Sequence, residues 1–302
     1  MLSDSVQCYL TLRRSAGFSL KEVALHLRSF AAYSDRRGYQ HICAQAVIEW
    51  AEQVPSLVQR ARRLGDVARF ARYLKAEDPR HEIPPRIFGS EHFLRPTPYI
   101  LSDEQIIRIL QLAGQSGYRT LRRQTYATLF GLLACTGLRV SEAIRLRYDD
   151  ITPDGLVIRA SKFRKSRLVP LHKTAHAALE RYLELRRPYA PFDDHVFISI
   201  RRKPLLIADA DAAFRTVVAK MGLPVGGRQR RPTPHCLRHT FAVRSLLTCP
   251  DGRDHITKHM LMLSTYLGHS NAALTYWYQE AVPELMHSIA ERCEQHFDGG
   301  VL

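Results

Sequence analysis

Three short blocks of this chain hold residue types suited to work on a phosphate. They are Thr136-Gly137-Leu138-Arg139-Val140-Ser141-Glu142, His235-Cys236-Leu237-Arg238-His239-Thr240, and Leu267-Gly268-His269 with Tyr278 nine residues on. A phosphodiester is negative before attack and more so in the transition state. A guanidinium offers a planar pair of donors that suits two phosphate oxygens. Arg139 and Arg238, on separate predicted helices, are therefore candidates to clamp the non-bridging oxygens, and preorganised donors of this kind are usually a large catalytic contribution. Taken alone, an arginine behind a glycine at a helix start more often pairs with a carboxylate. A tyrosine with a free pKa of ~10 is a poor nucleophile and needs a cationic pocket or a base. Tyr276 competes with Tyr278 in the run Thr275-Tyr276-Trp277-Tyr278.

The elements that must carry these blocks are mostly helices. Ser102 and Gln105 form a capping-box pattern that opens a helix to about Leu112. A second helix covers Leu121 to Cys135 and stops at Gly137. The spacing predicts strands over Leu156–Arg159 and Arg167–Leu171, a hairpin whose tip holds Lys162 and Lys165. Phe197–Ile200 reads as a third strand. Helices are expected over Thr174–Arg186, Ala208–Met221, His235–Leu247, Ile256–Tyr266 and Ala281–His296. Residues 223–234, with Arg228, Arg230 and Arg231, read as a mobile basic loop. Further upstream, Ser19 and Glu22 suggest a capping box for a helix that Gly38 stops. Short and long helices then cover Cys43–Ala51 and the stretch after Ser56. The last of these has an apolar stripe and an opposite face with Arg60 and Arg63, either a solvated face or one that tracks phosphates. Five prolines from Pro79 to Pro98 preclude a continuous helix there.

Composition narrows the partners. The 302 residues carry 44 Lys and Arg against 29 Asp and Glu, a formal charge of +15. That surplus suits a polyanion, DNA above all, since phosphate binding releases counterions. No run of 18 apolar residues and no signal pattern points to a membrane. The cysteines lack a CxxC pair, so reduced thiols in a cytoplasm are expected. His255 and His259 are four apart but lack a third metal ligand in the pattern.

The ordered set Arg139, Lys162, His235, Arg238, His269 and Tyr278 resembles the catalytic domain of the tyrosine recombinases, the phage integrase family, over roughly residues 100–296. The resemblance implies a mainly α fold with a small antiparallel β-sheet. Residues 1–80 would be a helical, SAM-like core-binding domain, 81–99 a basic linker, and 100–302 the catalytic domain. By the same resemblance Tyr278 attacks the scissile phosphodiester and forms a 3′-phosphotyrosine, while its nine-residue spacing from His269 favours it over Tyr276. His235 assists proton handling, His269 hydrogen-bonds the phosphate, and Lys162 is the general acid, with Lys165 its rival. The family usually flanks this lysine with glycines, whereas Ser161 and Phe163 stand here. Lys165, Arg167, Arg60, Arg63, Arg228, Arg230 and Arg231 are DNA-binding candidates, and His239 and Glu142 are expected to be structural. No cofactor, metal or ATP is implied. The implied partner is double-stranded DNA with inverted recognition arms, bound by a homotetramer on two sites, also with related recombinases. The C-terminal helix is a candidate for exchange between subunits. The expected location is the cytoplasm, on the nucleoid. Transposition, phage integration and dimer resolution all stay open, and the alternatives are a catalytically idle DNA-binding protein or a type IB topoisomerase.

Overall fold

The computed structural model describes residues 1–89, 97–115, 120–159, 166–190, 192–223, 231–248, 253–268 and 275–278. The chain divides into two compact units, Met1–Arg95 and Pro96–Leu302.

The first unit is built from α1 (Leu2–Ser15), α2 (Lys21–Arg36), α3 (Ala44–Glu52) and α4 (Leu57–Lys75). Leu10, Leu27, Phe30, Val47, Trp50, Val67 and Phe70 form its core. The amino-terminal helix α1 has a narrow apolar stripe of Leu2, Val6, Tyr9 and Leu10 among polar residues, and the sequence patterning does not announce it. The expected capping box at Ser19 is absent. Helix α2 starts after Leu20, which sits at φ 43° with no side-chain cap. At α4 the signal holds, and the Ser56 hydroxyl accepts from the Gln59 N–H.

Residues expected to begin an exposed linker instead belong partly to this unit. His81 is buried, and its Nδ1 accepts from the Ile42 N–H at 3.1 Å. The Glu82 N–H reaches the Ile42 carbonyl, and Phe88 packs on the core. Proline breaks the helix here, but it does not stop His81 from being buried or Phe88 from being partly buried against the core.

The second unit opens on the predicted capping box: Ser102 Oγ accepts from the Gln105 N–H, and Gln105 Oε1 accepts from the Ser102 N–H. Helix α5 (Asp103–Gln115) packs along α6 (Thr120–Thr136), whose Leu129, Phe130 and Leu133 are fully buried. Gly137 ends α6 at φ +61°, and a Cβ there would lie 2.6 Å from the Phe241 ring. Only glycine allows both the left-handed turn and this close approach. The short α7 (Val140–Ala143) comes next.

Strands β1 (Ile151–Thr152), β2 (Gly155–Ile158) and β3 (Arg167–Val169) form an antiparallel sheet in sequence order. Ile158 faces Arg167 across β2 and β3. The predicted strand at Phe197–Ile200 does not join this sheet: Ile198 makes only an isolated bridge to Pro204, and β1 takes the third place. Helices α8 (Lys173–Arg186) and α9 (Ile207–Lys220) complete the main core, which includes Phe130, Phe197 and Phe214. Helix α10 (His235–Leu247) is tied to the start of the unit through Thr240 Oγ1, which accepts from the Leu101 N–H at 2.9 Å. It packs with α11 (Arg253–Leu267) around Val243, Leu263 and Leu267. Among the described residues no helix is long and apolar enough to cross a membrane.

Candidate active site

The ends of α6 and α11 and the start of α10 bring the candidate residues together. Arg238, 1% exposed, donates from Nη1 to the Gly137 carbonyl and from Nη2 to the Leu267 carbonyl, both at 2.7 Å. Arg139 donates from Nη2 to the Gly268 carbonyl at 3.2 Å and from Nη1 to Glu142 Oε1 at 2.8 Å. These carbonyls lie at the carboxyl ends of α6 and α11, where aligned peptide dipoles leave partial negative charge. Two guanidiniums that repel each other are thus held by two helix ends. Burial, then the nearby Arg139 cation, lowers the Arg238 pKa to about 10, which leaves it charged at neutral pH.

Tyr278 is 2% exposed and packs in the cluster of Ala242, Val243, Leu246 and Leu263. Its hydroxyl lies 2.9 Å from Nδ1 of His239, the residue next to Arg238. Tyr276 is instead 47% exposed. A buried tyrosine, an imidazole at hydrogen-bond distance and two preorganised arginines are therefore contiguous in one unit.

Residues 100–284 match the Phage integrase family. A Sinorhizobium fredii protein that carries the name integrase/recombinase y4rB is 37% identical over 98% of each chain. The tyrosine recombinase XerD of Brucella suis is 31% identical over 76% of this chain and 74% of its own. The chain belongs to the phage integrase family. Its fold matches that of the Tn1549 transposon integrase in complex with transposon right end DNA, with a TM-score of 0.69, 18% identity, and 95% of this chain and 98% of that one covered. The lambda integrase dimer bound to a core site gives a TM-score of 0.66 at 18% identity, covering 90% and 96%.

Within this integrase fold several expectations need correction. His239, expected to be structural, is the histidine at the Tyr278 hydroxyl. His235 is exposed, and its ring lies 4.4 Å from that of His239. Arg238, three residues on from His235, is instead buried. The i,i+4 spacing of His235 and His239 is the signal that pairs them.

Arg167, expected on the DNA backbone, is turned inward. Its side chain is 11% exposed, Nη2 donates to Glu142 Oε2 at 2.9 Å, and Nε donates to the Tyr266 carbonyl at 2.7 Å. A buried carboxylate leaves an adjacent arginine little reason to face solvent. Arg60 Nε donates to the Val54 carbonyl and Arg63 stacks over Trp50, so both are partly engaged within their own unit. Arg231 is exposed and donates to the Arg215 carbonyl. Lys162, Lys165, Arg228, Arg230, His269 and the predicted C-terminal helix lie outside the described residues.

The described residues contain one cluster with metal-ligand spacing, Asp193, Asp194 and His195, but Arg186 and Arg147 already pair with its carboxylates. A cavity of about 740 Å³ between α6 and α8 is lined by Gln124, Thr128, Cys135 and Tyr182, and none of the candidate residues lines it.

Glu142, expected to hold a helix or an arginine, does both. Its oxygens accept from the Arg139 N–H, from Arg139 Nη1 and from both terminal nitrogens of Arg167. Burial pushes its carboxyl up, but hydrogen bonds from Arg167 and from the Arg139 backbone outweigh this and hold the pKa below its ordinary value of 4.5. A carboxyl depressed in the folded state contributes stability above the unfolded value and loses it as pH falls through the folded one. In urea unfolding, Glu142→Gln should cost about 3 kcal/mol at pH 7, the scale for breaking a buried pair. The deficit should shrink once pH falls well below 4.5. A deficit constant from pH 7 to pH 3 would show that ionisation of Glu142 contributes nothing.

Proposed function

We propose that this site-specific recombinase cleaves DNA through the Tyr278 hydroxyl. The phenolic oxygen bonds to the scissile phosphorus, the bond to the 5′ oxygen breaks, and a 3′-phosphotyrosine and a 5′ hydroxyl result. The 2.9 Å contact between the Tyr278 hydroxyl and His239 Nδ1, beside Arg238, carries this reading. His239 is placed to take the phenolic proton. On binding, the phosphate oxygens accept from further N–H groups of Arg139 and Arg238 while the carbonyls keep their hold, so the donors stay oriented as charge develops. By the family resemblance, Lys162 protonates the departing 5′ oxygen and His269 and His235 assist at the phosphate. The phosphotyrosine retains the energy of the broken bond, so attack by a partner strand's 5′ hydroxyl reseals the backbone without ATP.

The substrate in this reading is a duplex with inverted arms, gripped by both units. With Phe88 packed on the first unit and Leu101 bonded into the second, about twelve residues remain between them, a span of at most about 40 Å and enough to pass beside a duplex about 20 Å wide. Linking two modest binders raises their effective concentration. Four copies would act on two sites, at the nucleoid in the cytoplasm. Among fold relatives, a lambda integrase tetramer binds a Holliday junction and XerH binds a palindromic difH substrate.

Footprinting on genomic fragments beside the gene should locate the arms. A nicked version of that site should then trap a covalent adduct, which peptide mapping places on Tyr278. Cleavage should persist in excess EDTA, because the arginines supply the charge stabilisation a metal would otherwise give. An adduct on Tyr276, or none on a verified site, would overturn the assignment. Loss of cleavage in EDTA with binding intact would reveal a required metal.

A further inference from the structure

We propose that Arg167 is a positioning residue that holds Arg139 and Arg238 in register with one another. The inference rests on the reading of Tyr278 as the nucleophile. Arg167 begins β3, and its guanidinium reaches two separate segments. Nη1 and Nη2 meet Glu142 Oε1 and Oε2 at 3.2 and 2.9 Å, while Nε meets the Tyr266 carbonyl at 2.7 Å.

Each segment holds one phosphate-facing arginine. Glu142 fixes Arg139 through its backbone N–H at 3.0 Å and its Nη1 at 2.8 Å. Tyr266 precedes Leu267, whose carbonyl holds Arg238, and Gly268, whose carbonyl holds Arg139. One planar side chain therefore joins the carboxylate that orients the first arginine to the helix end that orients the second. Space is reserved for it: a Cβ on Gly268 would fall 2.8 Å from Arg167 Nη1. The three donors lie in one fork, a geometry that an ammonium cannot copy. Charge alone would not need this arrangement, since Glu142 already has Arg139 as a partner.

Clamping by two arginines depends on where each sits, and a displacement of about 1 Å can cost about 10²-fold in rate. Arg167→Lys keeps the charge beside Glu142 and loses the fork. In the full chain it should bind the footprinted site as the parent does, yet form the Tyr278 adduct about 10²-fold more slowly.

The deciding probe is a site with a methylphosphonate at the scissile position. One non-bridging oxygen is then a methyl group and the charge is gone, so cleavage no longer depends on two arginines in register. On this substrate the gap between Arg167→Lys and parent should narrow by at least about tenfold. A side chain that only stabilised the fold would slow both substrates by the same factor, and that result would overturn the proposal. So would parental rates on phosphate, or a defect explained wholly by weaker binding. Should Arg167→Lys fail to fold, Arg167→Gln, which leaves a planar donor group beside Glu142 and its contacts to Arg139 intact, is read in the same way. Failure of the underlying reading is visible separately, as a parent protein that forms no adduct on ordinary phosphate.

Discussion

Replacing Tyr278 by phenylalanine is expected to abolish the covalent adduct and strand cleavage while leaving DNA binding in place. The change removes one oxygen, and the ring can keep its place in the cluster with Ala242, Val243 and Leu263. That oxygen lies 2.9 Å from His239 Nδ1. No other group of the chain is proposed to form the bond to phosphorus, so the loss should be on the order of 10⁴-fold or more, the scale for deleting a nucleophile. Thermal stability should fall by no more than about 1 kcal/mol, the net value of one hydrogen bond. Tyr276→Phe is the matched control: its ring is 47% exposed, and cleavage should stay near the parental rate. The measurement is single-turnover adduct formation on a nicked site, with a mobility shift for binding. Residual cleavage in Tyr278→Phe that disappears in the double replacement would move the nucleophile to Tyr276.

Arg238→Lys should slow cleavage by about 10²- to 10³-fold, the usual loss on removing a preorganised donor. The arginine spans two carbonyls, Gly137 and Leu267, from two nitrogens of one plane. An ammonium keeps the charge but cannot present that pair, so the second phosphate oxygen loses its donor. Arg238→Ala should be slower still, and it should also cost about 1–3 kcal/mol of stability because buried carbonyls lose their donors. Comparing the two separates charge and geometry from folding. Wild-type cleavage in Arg238→Lys would sink the two-point clamp. Arg238→Lys should leave the salt dependence of binding nearly unchanged, since the positive charge is kept.

Much of this architecture was legible because the signals were local. Ser102 and Gln105 form their reciprocal cap within one turn, and the Ser56 hydroxyl opens α4 by accepting from the Gln59 N–H. Gly137 stops α6 because no other residue takes φ +61° at low cost against Phe241. Helix α10 runs over His235–Leu247 as its apolar spacing requires. The order of Arg139, Lys162, His235, Arg238, His269 and Tyr278 along the chain was enough to name a family and its phosphate chemistry. Where local signals were weak the reading failed. Helix α1 has too narrow an apolar stripe to stand out, and Ser19 resembles a cap without making one.

What only the tertiary structure decided is which side chain meets which. Spacing along the helix did not reveal that Arg238 is buried or that His239 meets the Tyr278 hydroxyl. Charge suggested that Arg167 belongs on DNA, yet Glu142 and the end of α11 claim it. Partners that are 39, 25 and 99 residues apart leave no periodic trace in a sequence. Helical or strand spacing reports the face on which a residue lies, whereas the identity of its partner depends on how distant elements pack, and a buried guanidinium goes wherever carbonyls and carboxylates can satisfy its donors.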